Sequence, residues 1–258
     1  MINNPLVSVV IPVNKHNPFL KEAIESIQNQ SYSNIEIILI ANNCSDCFFN
    51  SLQEFSNEKT KLIRTDLSFL PFSLNLGIHI ANGEFIARMD SDDIADVDRI
   101  AKQVVYMRAH SDVAVVGSNV KFIDERGIIT GMSDYPISHR NIKRRMRYNC
   151  CVAHPSVMMR RDVIVKAGGY MYGSLSEDYD LWLRLLQDKN VVFHNINEPL
   201  LQYRIHANQA TGKNNLYKIF IYDLCLKLRF FLLYPNVFYF FGCIRGFLSY
   251  IYCRYIKK

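Results

Sequence analysis

Short apolar runs alternate with amphipathic stretches through the first part of the chain. Apolar runs bounded by polar or breaking residues predict buried strands, whereas apolar residues spaced three and four apart predict helices. The predicted strands are Val7–Ile11, Ile35–Ile40, Lys61–Thr65 and Phe85–Met89, and the predicted helices are residues 18–30, Phe49–Glu58, Ser73–Ala81 and Arg99–Arg108. This alternation indicates an α/β fold with a mostly parallel, doubly wound sheet.

The later part of the chain has weaker patterns. Val113–Val116 and Val120–Ile123 are predicted to be two strands on either side of Gly117. Residues 216–256 are apolar and aromatic, but their run Phe230–Cys243 is shorter than the roughly 20 residues of a membrane-spanning helix. We therefore predict a helical C-terminal extension that follows the α/β fold.

Three aspartates, Asp90, Asp92 and Asp93, follow the predicted strand Phe85–Met89. Doubly wound sheets bind ligands at the carboxyl ends of their strands, and adjacent carboxylates repel each other unless a cation lies between them. A hard divalent cation, Mn²⁺ or Mg²⁺, meets that need and would also bind a diphosphate. The alternative is a solvated turn in which Asp93 caps a helix that begins near Ile94.

Several phrases between about residues 6 and 210 resemble the family 2 glycosyltransferases, and they occur in that family's order. They are Val7–Val13, Ala23–Gln30, Leu74–Gly77, Ala87–Asp93, His154–Met158, Gly168–Tyr170 and Glu177–Trp182. The resemblance implies the GT-A fold, in which a Rossmann-like nucleotide-binding half joins an acceptor-binding half. It also implies inverting transfer of a sugar from a nucleotide-diphosphate donor, in an enzyme of the bacterial surface-polysaccharide type.

The resemblance also implies a division of the chain and a role for individual residues. The catalytic domain is expected at residues 1–212, with its nucleotide-binding half at about 1–110 and its acceptor half at about 111–212, and a basic aromatic tail at 213–258. Asp178 is the expected general base. The expected donor-binding residues are Pro12, Val13, Asn14, Asn42, Asn43, Asn75, Arg88, Asp90 and Ser91. The expected metal ligands are Asp90, Asp92 and His206, and the expected acceptor-binding residues are Asp93, His154, Glu177 and Trp182.

Some of these residues also have a structural interpretation. Acids such as Glu177 and Asp178 stabilise a helix N-terminus through the helix dipole. His206 fits a surface loop, and His154 fits a packing position as well as an acceptor pocket. Ala41 departs from the family pattern, because an acid that reads the nucleobase usually ends the second strand. The base and the sugar of the donor therefore stay open.

The positive charge of the protein is concentrated in the predicted tail. Residues 213–258 contain eight Lys and Arg residues and one acid, Asp223, whereas the whole chain has a formal net charge of +6. A basic, aromatic helical segment suits the surface of an anionic membrane. We expect peripheral contact with the cytoplasmic face of the inner membrane and a glycan or lipid-linked acceptor. A helical cap on the catalytic domain, or a dimer contact, is the alternative.

A second basic stretch, residues 139–147, is expected to be the solvated face of a helix. Contact with a phosphate of the donor or acceptor, or with anionic lipid, is the alternative. No groove-reading or RNA-binding motif accompanies it, so nucleic acid is not an expected partner. The seven cysteines follow no disulfide framework and no signal-peptide pattern is present, which indicates a reducing, cytoplasmic compartment.

Two other functions compete with the glycosyltransferase. A metal-dependent nucleotidyltransferase also uses a doubly wound sheet and paired acids, but it usually has a Gly-rich basic loop after the first strand. This chain has only Lys15 there and no glycine between Val13 and Phe19. The departure at Ala41 motivates the second alternative, a non-catalytic scaffold that binds a sugar nucleotide.

Overall fold

The computed structural model describes residues 4–172, 175–207, 209, 212 and 215–256. Within them, nine strands join into one sheet, in the order β3-β2-β1-β4-β8-β6-β9-β5, and β7 pairs with β6. The strands are β1 Val7–Val13, β2 Ile35–Asn42, β3 Thr60–Thr65, β4 Phe85–Arg88, β5 Ile94–Ala95, β6 Val113–Ile123, β7 Ile129–Met132, β8 Met158–Arg160 and β9 Val192–Arg204. The four strands predicted in the first part of the chain are all present.

The sheet is parallel in its first half and mixed in its second half. Strand β1 lies parallel to β2 and β4, and β2 lies parallel to β3. Strand β8 lies antiparallel between β4 and β6, and the long β9 runs parallel to β6. The carboxyl ends of β1, β2 and β4 therefore meet at one edge of the sheet, where Asn14, Asn42 and Asp90 are found.

Helices cover both faces of the sheet. They are α1 Leu20–Gln28, α2 Asp46–Ser51, α3 Leu70–Ile80, α4 Arg99–Ala109, α5 His139–Arg145, α6 Arg161–Lys166, α7 Glu177–Leu185, α8 Leu216–Leu233 and α9 Val237–Ile251. Side chains alternate across β1, since Val9 shares a core with Ile24 of α1 and Val10 shares the other core with Leu74 of α3. The sheet is thus doubly wound, as predicted.

The alternative in which Asp93 caps a helix that begins near Ile94 is wrong. Residues Ile94–Ala95 instead form β5, antiparallel to β9, and α4 begins at Arg99. The Asp93 side chain does not cap a helix, because its Oδ1 accepts the backbone N–H of Arg204 at 2.9 Å. A long-range bond to β9 therefore replaces the local capping bond that the sequence suggested.

A single strand also replaces the two predicted around Gly117, since β6 runs unbroken through that residue. A Cβ atom at position 117 would lie 2.3 Å from Asn195 Oδ1 of the paired β9. Glycine at position 117 therefore leaves room for the Asn195 side chain of the neighbouring strand, and it does not break β6.

The helical C-terminal extension is confirmed. Helices α8 and α9, joined by residues 234–236, pack on α7 through the buried side chains of Leu226 and Phe230. Arg229 Nη1 donates to Asp180 Oδ1 at 3.0 Å and ties α8 to α7. Residues 213, 214, 257 and 258 of the expected tail lie outside the described residues. No helix that the structure describes combines the length and apolar character needed to cross a bilayer.

Candidate active site

A cleft of about 760 Å³ opens at the edge of the sheet where β1, β2 and β4 end. It is lined by residues that come from both halves of the chain. Twelve predicted site residues line it, namely Pro12, Val13, Asn14, Asn42, Arg88, Asp90, Ser91, Asp92, His154, Glu177, Asp178 and His206. The structure thus brings most of the predicted site into one cavity.

The aspartates that follow β4 form a compact oxygen cluster. One carboxylate oxygen from each of Asp90, Asp92 and Asp93 lies within 4.8 Å of the others. Asp90 and Asp92 are partly exposed, whereas Asp93 is buried and its Oδ2 has no hydrogen-bond partner among the described residues. Burial and the neighbouring carboxylates raise the pKa values of Asp92 and Asp93. Such a cluster fits Mn²⁺ or Mg²⁺, whose charge would relieve the repulsion.

The buried guanidinium of Arg88 orients Asp90, one of the three aspartates. Arg88, the last residue of β4, donates from Nη2 to Asp90 Oδ1 at 2.5 Å. Burial disfavours the charge of Arg88, but the charge and hydrogen bond of Asp90 outweigh it and raise the pKa of the guanidinium. Arg99 of α4 in turn donates to the Arg88 backbone oxygen at 2.7 Å. The orientation of the Asp90 carboxylate is therefore set from beneath the cleft.

The segment that follows β9 brings His206 to the same cluster. His206 Nε2 lies 2.8 Å from Asp92 Oδ2, and its ring contacts Phe19 with centroids 5.5 Å apart. Arg204 fixes this arrangement, because its Nε donates to the backbone oxygen of Asp92 at 2.9 Å and its Nη2 donates to Glu22 Oε2 at 2.5 Å. Arg204 is buried and does not line the cleft, so it positions the site without facing it.

Two acids at the start of α7, Glu177 and Asp178, line the cleft. Burial, together with the charge of Asp178, raises the pKa of Glu177 to about 7. Burial also raises the pKa of Asp178, whose Oδ2 lies 3.9 Å from Cys150 Sγ. The Oε2 atom of Glu177 has no hydrogen-bond partner within the described residues. Carboxyl groups with a raised pKa in a cleft are suited to proton transfer.

Four of the predicted site residues do not line the cleft, and they are Asn43, Asn75, Asp93 and Trp182. Asn75 binds the backbone oxygen and N–H of Tyr170 with its amide, both at 2.8 Å. It therefore joins α3 to the loop that holds Gly168 and Gly169. Asn43 has an exposed side chain and a left-handed backbone, with φ of 45°. Asp93 supports the acid cluster from the buried side, instead of facing an acceptor.

Trp182 is fully buried in the core, which argues against its expected contact with the acceptor. Its ring meets the rings of His154 and Phe193 edge-on, with centroids 6.1 and 5.8 Å away. It therefore supports His154, which does line the cleft and whose Nε2 lies 2.7 Å from the Tyr170 hydroxyl. Burial and the charge of Arg88 lower the pKa of His154, so the ring is neutral at physiological pH.

The structure at the end of β2 gives a physical reason why position 41 is alanine and not the acid of the family pattern. The Ala41 side chain lies in the hydrophobic core with Val13, and the next residue, Asn42, lines the cleft. Asn42 Nδ2 donates to Ser73 Oγ at 2.9 Å, whereas its Oδ1 is buried without a partner among the described residues. An amide acceptor thus stands at the edge of the sheet where the family pattern led us to expect an acid.

The cleft also contains residues that we did not predict. These are Lys15, Asn17, Ser68, Leu70, Val120, Phe122, Tyr135, Cys150, Val152, Ala153, Pro155, Leu175, Tyr203 and Gln209. Asn17 donates from Nδ2 to Ser91 Oγ at 3.1 Å and so links the loop after β1 to the acid cluster. Its position just beyond the carboxyl end of β1 was the available signal. Tyr135 and Cys150 belong to no recognisable pattern in the sequence.

Comparisons with known sequences place this architecture in a family. The profile for glycosyl transferase family 2 matches residues 8–168. The O-antigen biosynthesis glycosyltransferase WbnJ of Escherichia coli is 36% identical over 260 residues, which cover 98% of this chain and 97% of the relative. The amylovoran biosynthesis glycosyltransferase AmsE of Erwinia amylovora is 29% identical, with 87% of each chain covered.

Solved structures confirm the predicted GT-A fold. TarS 1–349 of S. aureus, crystallised with UDP-GlcNAc, gives a TM-score of 0.68 at 13% identity and covers 88% of this chain and 66% of its own. The mannosyltransferase PcManGT of Pyrobaculum calidifontis, in complex with GDP-Man and Mn²⁺, gives 0.65 at 13% identity and covers 98% and 75%. The family match and the WbnJ relationship show that this chain belongs to glycosyl transferase family 2 and is a glycosyltransferase of the bacterial surface-polysaccharide type.

Proposed function

We propose that this enzyme transfers a sugar, with inversion, from a nucleotide-diphosphate sugar to a hydroxyl group of a glycan or lipid-linked acceptor in surface-polysaccharide synthesis. The observation that carries the proposal is a single cleft with the acids after β4 and the acids of α7 in its lining. Related evidence supports it, since TarS and PcManGT were solved with UDP-GlcNAc and GDP-Man. WbnJ and AmsE are named for O-antigen and amylovoran synthesis.

The donor nucleoside would occupy the end of the cleft formed by β1 and β2. Pro12, Val13 and Asn14 offer backbone and edge contacts there, and the unpartnered Oδ1 of Asn42 is an acceptor for an N–H of the base. Lys15 is an exposed cation in the cleft lining and suits the diphosphate. This assignment makes Asn42, not position 41, the residue that recognises the base.

The acid cluster would hold Mn²⁺ or Mg²⁺ at a DXD-type motif. Asp90, Asp92 and His206 line the cleft and would be the ligands of the cation. The compact oxygen cluster itself consists of Asp90, Asp92 and the buried Asp93, and His206 joins it through its contact with Asp92. When bound, the cation stabilises the charge that develops on the departing nucleoside diphosphate. The protein contributes orientation, because Arg88 fixes the Asp90 carboxylate and Arg204 of β9 fixes Asp92 and Asp93. Its Nε donates to the Asp92 backbone oxygen, and its backbone N–H donates to Asp93 Oδ1.

Asp178 would act as the general base that takes the proton of the acceptor hydroxyl. Burial raises its pKa, which makes its carboxylate a stronger base than an exposed aspartate. The neighbouring Glu177, with a pKa of about 7, can donate a hydrogen bond to an acceptor oxygen while it is protonated. His154 is neutral and lines the same side of the cleft, where it would help to orient the acceptor.

The C-terminal extension would attach the enzyme to the cytoplasmic face of the inner membrane. Both helices expose large apolar side chains, among them Leu232, Phe240, Phe241, Ile244, Phe247 and Leu248. Arg245 and Arg254 accompany them with positive charge. Exposed apolar side chains together with cations suit an anionic lipid surface, where a lipid-linked acceptor would be within reach.

The test is a donor screen with purified full-length protein. Nucleotide sugars are incubated with Mn²⁺, with Mg²⁺ or with EDTA, and release of the nucleoside diphosphate is measured. We expect one donor to be turned over only when a divalent cation is present. With a simple sugar acceptor, NMR of the new linkage should show the anomeric configuration opposite to that of the donor. Turnover that survives EDTA, or a product with retained configuration, would contradict the proposal.

A further inference from the structure

A second cavity, of about 340 Å³, lies where α5 and α7 meet the turn between α8 and α9. Lys143 and Arg147 provide its only charged side chains among the described lining residues, and no carboxylate is present there. Leu186, Leu233 and Tyr234 contribute apolar and aromatic walls. The cavity shares no lining residue with the catalytic cleft, so the proposed transfer reaction does not account for it.

The two cations of the second cavity have no anionic partner in the described part of the chain. Lys143 and Arg147 are half-buried, and neither forms an ion pair with a residue that the structure describes. The Arg147 guanidinium lies 5.5 Å from the ring centroid of Phe238 in α9, which leaves it next to an aromatic face. Half-buried cations beside apolar walls favour an anionic ligand, because desolvation of the cations is then compensated.

The second cavity is continuous with the exposed apolar surface of the C-terminal helices. Leu233 and Tyr234 line the cavity, yet they are 58% and 45% exposed. Leu232 and Phe238, next to them along the chain and across the turn, are exposed as well. A free phosphate ion needs no apolar surface beside its site, whereas the phosphate of a lipid carries hydrocarbon that does.

We propose that the second cavity binds the phosphate of an anionic membrane lipid, with Lys143 and Arg147 on its oxygens and the lipid chains against Leu233 and Tyr234. The proposal rests on the membrane contact proposed above and gives that contact a specific site. It also assigns a role to the basic stretch 139–147, none of whose residues lines the catalytic cleft. The catalytic cleft would then be held at a fixed orientation to the bilayer.

The test compares two double variants that lose the same charge. In K143Q/R147Q the cavity loses its cations, and in K166Q/R126Q two exposed cations outside both cavities are removed. Full-length proteins are sedimented with vesicles of phosphatidylcholine alone or mixed with phosphatidylglycerol. We expect wild-type protein to bind the mixed vesicles, the cavity variant to bind about tenfold or more weakly, and the control variant to stay close to wild type.

A soluble lipid separates a built site from general charge attraction. Dihexanoyl phosphatidylglycerol, kept below its micelle concentration, should bind wild-type protein saturably in calorimetry and should not bind the K143Q/R147Q variant. Inorganic phosphate, which lacks hydrocarbon, should bind at least about tenfold more weakly than the lipid. Saturable phosphate binding of equal strength would identify a phosphate-ion site and overturn the lipid assignment.

Other outcomes separate this inference from the proposals on which it rests. Equal losses in the two double variants would leave a membrane contact but overturn the specific site. If wild-type protein does not bind vesicles that contain phosphatidylglycerol, both the specific site and the membrane contact are refuted. Metal-dependent donor turnover should be unchanged in K143Q/R147Q, and thermal unfolding should show that this variant is folded. Failure of donor turnover in wild-type protein would refute the transferase proposal without affecting the lipid measurements.

Discussion

The two ends of the parallel part of the sheet stabilise their carboxylates in opposite ways. At the amino end, Glu36 in β2 accepts hydrogen bonds from Ser8 Oγ at 2.6 Å, Lys61 Nζ at 2.8 Å and the backbone N–H of Asn82 at 2.6 Å. Burial opposes the charge of Glu36, but these donors outweigh it and lower the pKa of the carboxyl group to about 2. The protein itself therefore supplies the hydrogen bonds and the positive charge that stabilise the ionised Glu36 carboxylate.

At the carboxyl end, the protein does not fully stabilise the charges of the acids. Burial and like charge raise the pKa values of Asp92, Asp93 and Glu177. One oxygen each of Asp93 and Glu177 has no partner among the described residues. A carboxylate that stabilises a fold receives its hydrogen bonds from the protein. A carboxylate in a functional site receives the missing contacts from a bound ligand. The predictions below test that distinction, from the largest expected effect to the smallest.

Asp178→Asn should lower the rate of transfer by about 10²–10⁴-fold, because the acceptor hydroxyl loses its base. Donor affinity and folding should be unchanged, since Asp178 forms no ion pair with a residue that the structure describes. The measurement is kcat at saturating donor and acceptor. Asp162→Asn, an exposed acid of α6, is the matched control and should behave as wild type. Transfer by Asp178→Asn within about tenfold of wild type would refute the base assignment.

Glu36→Gln should lower the free energy of unfolding by about 2–4 kcal/mol, because Lys61 and the other donors lose a buried charged partner. Activity of the folded variant should be near wild type. Urea denaturation measures the loss, with Glu84→Gln as the control. Glu84 is an exposed acid 3.6 Å from Arg160 and should contribute at most about 1 kcal/mol. Equal small losses in both variants would remove the contrast between the two ends.

The Glu36 substitution should also change the acid limb of stability. The pKa of Glu36 is about 2 in the folded protein, below its ordinary value of about 4.3 in an unfolded chain. The stabilisation is therefore present above about pH 4.3 and disappears as the pH falls towards 2. Wild-type protein should lose stability over that window more steeply than Glu36→Gln, and parallel acid limbs would contradict the assignment.

Glu177→Gln should act in the opposite direction and raise the free energy of unfolding above neutral pH by about 1–3 kcal/mol. The pKa of Glu177 is about 7 in the folded protein, so the folded state binds more protons than the unfolded state between about pH 4 and pH 7. Ionisation in that window costs stability as the pH rises, and glutamine removes the cost. Urea midpoints without divalent cations, at about pH 5 and pH 8, should show a gain that grows with pH. A constant difference would be inconsistent with the raised pKa.

Arg229→Gln should have the smallest effect, about 0.5–1 kcal/mol, although it removes a partner from the fully buried Asp180. Asp180 lies on α7 close to Glu177 and Asp178, but its carboxylate is paired as that of Glu36 is, since Arg184 Nε also donates to it at 2.7 Å. Arg229 is 44% exposed, which limits its contribution. Arg184→Gln should lower the free energy of unfolding by about 3 kcal/mol in the same denaturation experiment. A larger loss for Arg229→Gln than for Arg184→Gln would show that Arg229 of α8 is the main partner of Asp180 and would contradict this prediction.

The sequence predicted the elements whose pattern is local. Apolar periodicity and strand ends predicted the buried strand Val7–Ile11, helix α1 and the acids that follow β4. The structure contains all three, and the strand continues to Val13. The grouping of these acids with Glu177 and Asp178 in one cleft came from the family resemblance, because the residues lie far apart in the chain.

What the sequence missed depends on long-range contacts. Asn75 resembled a donor-binding residue, but its amide binds Tyr170, 95 positions away. Trp182 resembled an acceptor contact, but it is buried under His154. Strand β5 forms only because β9 lies beside it, and no local pattern reports a partner strand. Cys150 lines the cleft, but it lies in a loop that has no sequence motif, so the sequence did not predict this position.

The most direct test of the central claim, that the acids after β4 hold a divalent cation against a sugar nucleotide, is calorimetric titration of the donor found in the screen. Wild-type protein should bind the donor at least about tenfold more tightly with Mn²⁺ than with EDTA, and Asp92→Asn should lose that gain while it stays folded. Donor binding that ignores the cation in wild-type protein, or a full Mn²⁺ effect in Asp92→Asn, would contradict the account.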